Sequence, residues 1–428
     1  MTPTFSIVIF TKNRAELAAF ALESVLRQTF DDFEVIVSDN DDGESTARAL
    51  ARFRNPRFRY HRTGGTLSMV DNWECGLEFT TGHYVLSLTD RSVLKRHALE
   101  RIWRAISEHP QQDVFVWQYD LLYQRRDGDT LIRYSGPPDD EIVSSAALFD
   151  FFFLNPTERY SHRLPRGLNC CFSRSLLDEL RATTGGRVCL PVAPDYIQAF
   201  LALVHRPTVA MINEPLFVWG GLALSNGLGT YDGTGTFQRF MHDLGRTEAD
   251  LYDLVPVKTV GIHNMICNDL LHLKVQCPDR FSGVVLNLPG YFAVCYEEIQ
   301  RWLAPANALY EAKTRAWKEA LALQPSAVQA EVGQAVEVFE RRRDPSRESA
   351  VTAFRRIQAE YQPGLNYPPW WTPLGVRRRA ARLIKGVHRQ VLTTRRPLPV
   401  YKFRSPVEAA DYLEACERWE RRHRGGPA

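Results

Sequence analysis

The first hundred residues alternate short strand patterns with helix patterns, and this constrains the fold more than any other feature of the chain. Phe5–Phe10 (FSIVIF) is a β-branched and aromatic run that predicts a strand. Ala15–Gln28 has helical spacing, with Leu17, Ala21, Leu22, Val25 and Leu26 on one side. Phe33–Val37, Phe58–His61 and Tyr84–Leu88 read as further strands, separated by a helix over Ser68–Thr80 and followed by one over His97–Ser107. Strands joined by helices of this length predict an α/β fold: a mostly parallel sheet with helices on both faces. Ligands in such sheets sit at the carboxyl ends of the strands. Here those ends carry Thr11, Asn13 and Arg14, then Asp39 and Asn40, then Asp90, Arg91 and Ser92, all of them polar.

Further along, Val114–Tyr119, Leu168–Phe172 and Val209–Ile212 read as strands, with a helix near Tyr196–His205. Residues 220–235 (GGLALSNGLGTYDGTG) are glycine-rich and suit either a loop that closes over a ligand or a connector. From Thr236 the patterns are mainly helical, clearest over Ala306–Gln324, Ala327–Arg343 and Glu348–Tyr361. Pro363–Pro373 interrupts them, and the last helix, Val407–Arg424, opens with a capping box at Ser405-Pro406-Val407-Glu408.

Composition excludes several classes. No apolar run reaches the roughly 18 residues that span a bilayer. The start, MTPTFSIVIF, lacks the pattern of a signal peptide, and the eight cysteines form no CxxC pair, so reduced thiols and a cytoplasmic protein are expected. There is no GxGxxG after the first strand and no GxxxxGK[ST] loop, which speaks against a dinucleotide oxidoreductase and a P-loop NTPase. The eleven histidines form no HxxxH or HxH pair. Net charge is +3, yet residues 376–428 hold 14 Lys/Arg against 5 Asp/Glu, so the remainder is acidic. Within that stretch Val376–Leu392 places Val376, Ala380, Leu383, Val387 and Val391 on one face and basic residues elsewhere. Three readings stand: an anionic membrane surface through residues 370–392 with Trp370 and Trp371 as anchors, another acidic partner, or packing on the helical half. An exposed apolar face on that half would suit a homo-oligomer, and no nucleic acid is expected.

The stretch FSIVIFTKNRAELAAFALESVLRQTFDDFEVIVSDN resembles the opening of family 2 glycosyltransferases with the GT-A fold, as does GGTLSMVDNWECGLEFTTGHYVLSLTD. The likeness continues more weakly through APDYIQAF and INEPLFVWGG, so it covers about residues 4–230 and not the helical half. It implies a nucleotide-sugar-binding catalytic domain over 1–230, followed by a helical domain (231–362) and a linker with a basic tail (363–428). It also implies inverting transfer of a sugar from a nucleotide-sugar donor to a glycan or lipid-linked acceptor, with a role in surface or exopolysaccharide assembly by analogy. Thr11, Asn13 and Arg14 would lie beside the base and ribose, Asp39 would accept from the base, and Asn72 shares a helix face with Ser68 in a region relatives use near the nucleotide. Asp90 matches the first acid of the family's Asp-x-Asp motif. Asp195 matches the catalytic base, though an aspartate there would also suit a helix N-cap.

The motif departs from the family at one point. Arg91 and Ser92 follow Asp90 where the acid that grips the metal is expected. Arg91 could neutralise the donor phosphate in place of a metal, since its fork of donors matches phosphate oxygens. Two other readings stand beside this one. Asp90 alone could hold Mg²⁺ or Mn²⁺ together with the phosphates, or the protein could be a non-catalytic scaffold with a degenerate site.

Overall fold

The computed structural model describes residues 2–65, 67–123, 130–134, 139–154, 163–189, 192–220, 229–232, 235–303, 307–342, 403 and 405–423. The predicted helix 348–361, the Pro/Trp segment, the basic stretch 376–392 and most of the glycine-rich run lie outside them. The first half runs β1 (Phe5–Thr11), α1 (Ala15–Leu26), β2 (Phe33–Asp39), α2 (Ser45–Leu50), β3 (Phe58–Arg62), α3 (Met69–Glu78), β4 (Tyr84–Thr89), β5 (Ser92–Leu94) and α4 (Ala98–Glu108). Then come β6 (Val114–Tyr123), β7 (Thr130–Ile132), β8 (Glu141–Ser144), α5 (Ser145–Leu154), β9 (Cys170–Ser173), α6 (Arg174–Thr183), α7 (Pro194–His205) and β10 (Thr208–Trp219). Helices follow: α8 (Gly229–Asp232), α9 (Gly235–Leu244), α10 (Ile262–Gln276), α11 (Leu288–Trp302), α12 (Ala308–Ala322), α13 (Ser326–Arg342) and α14 (Pro406–His423).

The strands form one sheet in the order β3-β2-β1-β4-β9-β6-β10-β5, with β7 beside β6 and β8 beside β10. All seven residues of β1 are buried, as a central strand covered by helices on both faces requires. The α/β class is as expected, but the sheet is mixed. It is parallel from β3 to β4, whereas β9 runs antiparallel to both β4 and β6. The parallel register brings Thr11 level with Asp39, and Phe10 level with Thr89. The polar residues after β1, β2 and β4 therefore emerge along one edge.

Two elements are longer or newer than the sequence pattern suggests. β10 continues past Ile212 through Pro215 to Trp219, with its register to β6 shifting on either side of that proline. Proline cannot donate to a ladder and is tolerated at such irregularities. β5 occupies what reads as a turn after Asp90, and it pairs Ser92 with Trp219. This short antiparallel pair sets Arg91 beside the end of β10, where its carbonyl accepts from Gly220 N–H at 2.9 Å.

One face of the sheet shares a core with α3, α5, α6, α7, α10 and α11, reaching Trp317 and Val332, so apolar packing crosses residue 230 without a break. The other face packs on α1 and α4. α14 docks on α1, β5 and β10 through acids on one face: Asp411 meets Arg27 at 2.9 Å and Glu417 meets the buried Lys95 at 2.5 Å. Ser405 Oγ accepts from Glu408 N–H, which is half of the predicted capping box. The seven described cysteines are free, six of them buried. Among the described residues no helix is long and apolar enough to cross a membrane.

Candidate active site

The strand edge gathers an acid-rich corner whose carboxylates are already well supplied with donors. Asn13 sits at φ +56°, in the left-handed region that asparagine tolerates better than most residues. There its backbone N–H donates to Asp41, while its side chain exchanges hydrogen bonds with Asp42 at 2.7 and 3.1 Å. Asp41 also accepts from Ser45 Oγ at 2.8 Å and Thr46 N–H at 3.1 Å. Burial pushes its carboxyl up, but these donors outweigh burial and hold it below the usual range. Asp39 is fully buried, accepting from Tyr60 OH and from Asp41 N–H. Burial dominates there and raises its carboxyl to about 6. Gly65 closes this corner: a Cβ there would stand 2.9 Å from the Asp41 carbonyl.

Asp90 links that corner to a second one. Its Oδ2 accepts from Thr11 Oγ1 at 3.0 Å, and Oδ1 faces Arg14 Nη1 at 3.4 Å. Thr11, Arg14 and Asp90 thus meet, as expected. Asn72 does not join them: its amide oxygen accepts from Ser38 Oγ at 2.7 Å, pinning α3 to β2 inside the core. Asn13 reaches Asp41 and Asp42 rather than Asp39.

The second corner is cationic. The Arg91 guanidinium lies 5.1 Å from the Trp219 ring centre, and the Arg166 guanidinium lies 5.9 Å from the same ring. Arg166 Nη2 donates to Tyr119 OH at 3.2 Å, and Nη1 stands 4.0 Å from Asp195 Oδ2. Arg91 is lowered to about 10, by burial first and by the like charge of Arg14, against the pull of Asp90 and Asp195. Arg91 therefore feels the charges of both Asp90 and Asp195. Burial raises the Asp195 carboxyl, and Arg166 and Arg91 only partly offset it. A carboxylate raised in this way is a better proton acceptor than a solvated one.

Asp195 is not the N-cap of its helix. Ala193 holds that position, proline follows, and Asp195 lies in the first turn with its side chain toward Arg166. The chain leading to it is held by two buried carboxylates. Glu74 Oε2 accepts from Val188 and Cys189 N–H at 3.1 and 2.9 Å, and Asp269 Oδ2 accepts from Val192 and Ala193 N–H at 3.2 and 2.8 Å.

Arg166, Trp219, Tyr119 and Asp269 escaped sequence reasoning. Arg166 lies in a short loop between Pro165 and Gly167 with no periodic signal, and Trp219 belongs to the unforeseen extension of β10. The placement of Asp90 also bears on the expected Mg²⁺ or Mn²⁺. Both its oxygens are engaged, the neighbouring Arg91 repels cations, and among the described residues no three His, Cys, Asp or Glu side chains group to hold a metal. These residues do not fit a protein-held divalent ion.

Residues 6–180 match the family model described as Glycosyl transferase family 2. That match lies wholly in the N-terminal part and spans less than half of the chain. The PGL/p-HBAD biosynthesis glycosyltransferase of Mycobacterium bovis is 32% identical to this chain over 135 residues, which are 31% of this chain and 48% of that protein. Protein CgeD of Bacillus subtilis is 24% identical over 140 residues, 30% of this chain and 32% of its own. The chain spans about half the length, or less, of the curated relatives it matches. Similar solved structures include Staphylococcus aureus TarS 1–349 in complex with UDP-GlcNAc, at 14% identity and TM-score 0.42, covering 81% of this chain and 93% of that one. The mannosyltransferase PcManGT from Pyrobaculum calidifontis, in complex with GDP-Man and Mn²⁺, is 15% identical with TM-score 0.37, covering 79% and 87%.

Proposed function

We propose that the protein is an inverting glycosyltransferase that moves a sugar from a nucleotide-sugar donor to an acceptor hydroxyl, and that Asp195 is its base. One observation carries the reading: Asp195, raised by burial, stands beside Arg166 and Arg91 at the same strand edge as the Thr11–Asp90–Arg14 cluster. The acceptor oxygen attacks the anomeric carbon while its proton passes to Asp195. The bond from that carbon to the diphosphate breaks, and the diphosphate leaves with the electron pair. The corner of Asn13, Arg14 and Asp39 receives the nucleoside. Tyr60 and Asp41 hold the Asp39 carboxylate in place, leaving lone pairs for the base.

The acceptor class we favour is a glycan or lipid-linked glycan, as in surface-polysaccharide assembly. The domain limits of 1–230, 231–362 and 363–428 belong to the same reading, as do binding to an anionic membrane surface through residues 370–392 and self-association through an apolar face of the helical half. Vesicle sedimentation tests the membrane part: equal partition onto neutral and anionic vesicles would sink it.

The central test begins with a thermal-shift screen of UDP-, GDP-, TDP- and CMP-sugars. A donor present at about 100 times its dissociation constant adds about 2.7 kcal/mol of stability. With that donor, Asp195→Asn should slow transfer about 10²- to 10⁴-fold, the usual worth of a general base, while donor affinity holds. Unchanged transfer would remove Asp195 from the chemistry.

A further inference from the structure

We propose that Arg91 and Arg166, with the indole N–H of Trp219, hold the donor diphosphate directly, so that donor binding needs no divalent ion. This rests on the nucleotide-sugar reading above and assigns a ligand to a part of the site that the family motif does not describe.

The argument begins with donors that have nothing to donate to. Arg91 Nε and Nη1, Arg166 Nε and Trp219 Nε1 are buried without a hydrogen-bond partner among the described residues. Unpaired buried donors are costly, and four around one indole are not an accident of surface geometry. Every one is a donor, so the missing ligand is an acceptor. Charge points the same way. Three guanidinium groups, of Arg14, Arg91 and Arg166, gather near two carboxylates, Asp90 and Asp195. Arg14 and Arg91 repel each other, and a bound anion relieves that repulsion.

The arrangement suits a diphosphate more than a single carboxylate. The two guanidinium groups flank one indole ring at 5.1 and 5.9 Å, so they can offer two separate sets of N–H groups. Arg91 directly follows Asp90, at the strand edge where the nucleoside corner ends, and Arg166 stands beside Asp195, where the transferred sugar must meet its acceptor. Negative charge grows on the leaving diphosphate during transfer, and permanent positive charge there does what a divalent ion does in a carboxylate-lined site. The neighbouring carboxylate, Asp90, is engaged by Thr11 and Arg14.

Calorimetric titration of the full chain with UDP and with GDP, each in excess EDTA and in Mn²⁺, tests this. At least one diphosphate should bind in EDTA within about threefold of its affinity in Mn²⁺. Arg91→Ala and Arg166→Ala should each weaken it about 10- to 100-fold, the worth of charge-assisted hydrogen bonds. Arg91→Lys, which keeps the charge and loses the fork, should fall between, with an unchanged melting temperature to exclude misfolding. The parent nucleoside, lacking phosphates, should bind wild type and variants alike. Binding only in Mn²⁺, or full affinity in both alanine variants, overturns the arginine assignment while leaving the transferase reading intact. No binding of any nucleoside diphosphate in either condition overturns both.

Discussion

The two corners of the strand edge are built on opposite principles. Around Asp39 and Asp41 the acids collect donors from Tyr60, Asn13, Ser45, Thr46 and the backbone. Around Trp219, Arg166 does reach Tyr119, but Arg91 and Arg166 keep other buried N–H groups without an acceptor among the described residues. The first corner is held in shape by its own hydrogen bonds as folded. The second is finished only by a ligand. Sites that bind and turn over substrate commonly carry such unrelieved cost, and residues there trade stability for function. The contrast predicts that substitutions of similar size have opposite signs in the two places.

The largest expected effect is in the saturated corner. Asp41→Ala leaves the Asn13 and Thr46 N–H groups and the Ser45 hydroxyl without their acceptor. It should cost about 2–4 kcal/mol, since a buried orphan donor such as Thr46 N–H costs about 1–3 kcal/mol and the partly exposed Asn13 and Ser45 donors add less. Denaturant unfolding would measure it, and a loss under about 1 kcal/mol would mean that the corner is not held by that carboxylate.

Next in size is the carboxylate behind the base. Asp269 is raised to about 7 by burial, against the pull of the Val192 and Ala193 N–H groups and of His272 and Arg246. With a folded-state value above its ordinary one, its contribution to stability is full at low pH and is lost as pH rises through 7. Stability should therefore fall by roughly 2–3 kcal/mol between pH 5 and 8 from this group. Asp269→Asn should flatten that slope, leaving a smaller one from Asp39, which is raised to about 6. An identical slope in the variant would place the titration elsewhere. Asp269 also ties α10 to the backbone just before Asp195.

How much of this was legible in sequence follows from the range of the interactions. Thr11, Asp39 and Asp90 sit one or two residues past apolar runs, so strand period alone sent them to one edge. Arg166 has no such local mark. Its position depends on Tyr119 and Tyr196 from other elements, which only the folded chain brings near. The hydrogen bond of Asn72 is equally non-local: sharing a helix face with Ser68 says which side it is on, not that Ser38 of β2 will meet its amide. β10 was cut short at Ile212 because Asn213-Glu214-Pro215 carries every local sign of a turn, yet pairing with β6 and β5 carries the strand through. The acids of α14 are likewise local noise until Arg27 and Lys95, more than 300 residues away, are set opposite them.

In the unsatisfied corner the sign reverses. Arg91→Met removes a buried charge that its surroundings already disfavour, and it keeps most of the stem that packs on Trp219. The ligand-free protein should gain about 1 kcal/mol by denaturant unfolding while losing its affinity for nucleoside diphosphate. A variant that is both weaker binding and clearly less stable would make Arg91 an ordinary structural residue, and the contrast between the corners would fail.

The smallest effect sharpens the same point. Trp219→Phe keeps an aromatic surface for Arg91 and Arg166 and deletes only an indole N–H that has no partner among the described residues. Removing an unused donor should leave the melting temperature nearly unchanged. If that N–H is kept for a phosphate oxygen, affinity for the diphosphate should drop about three- to tenfold, the worth of one hydrogen bond of roughly 0.5–1.5 kcal/mol. Affinity for the nucleoside alone should not move. A drop in melting temperature at full affinity would mean that Trp219 is there to pack, and that two arginines share an indole for its ring rather than for what the three can grip together.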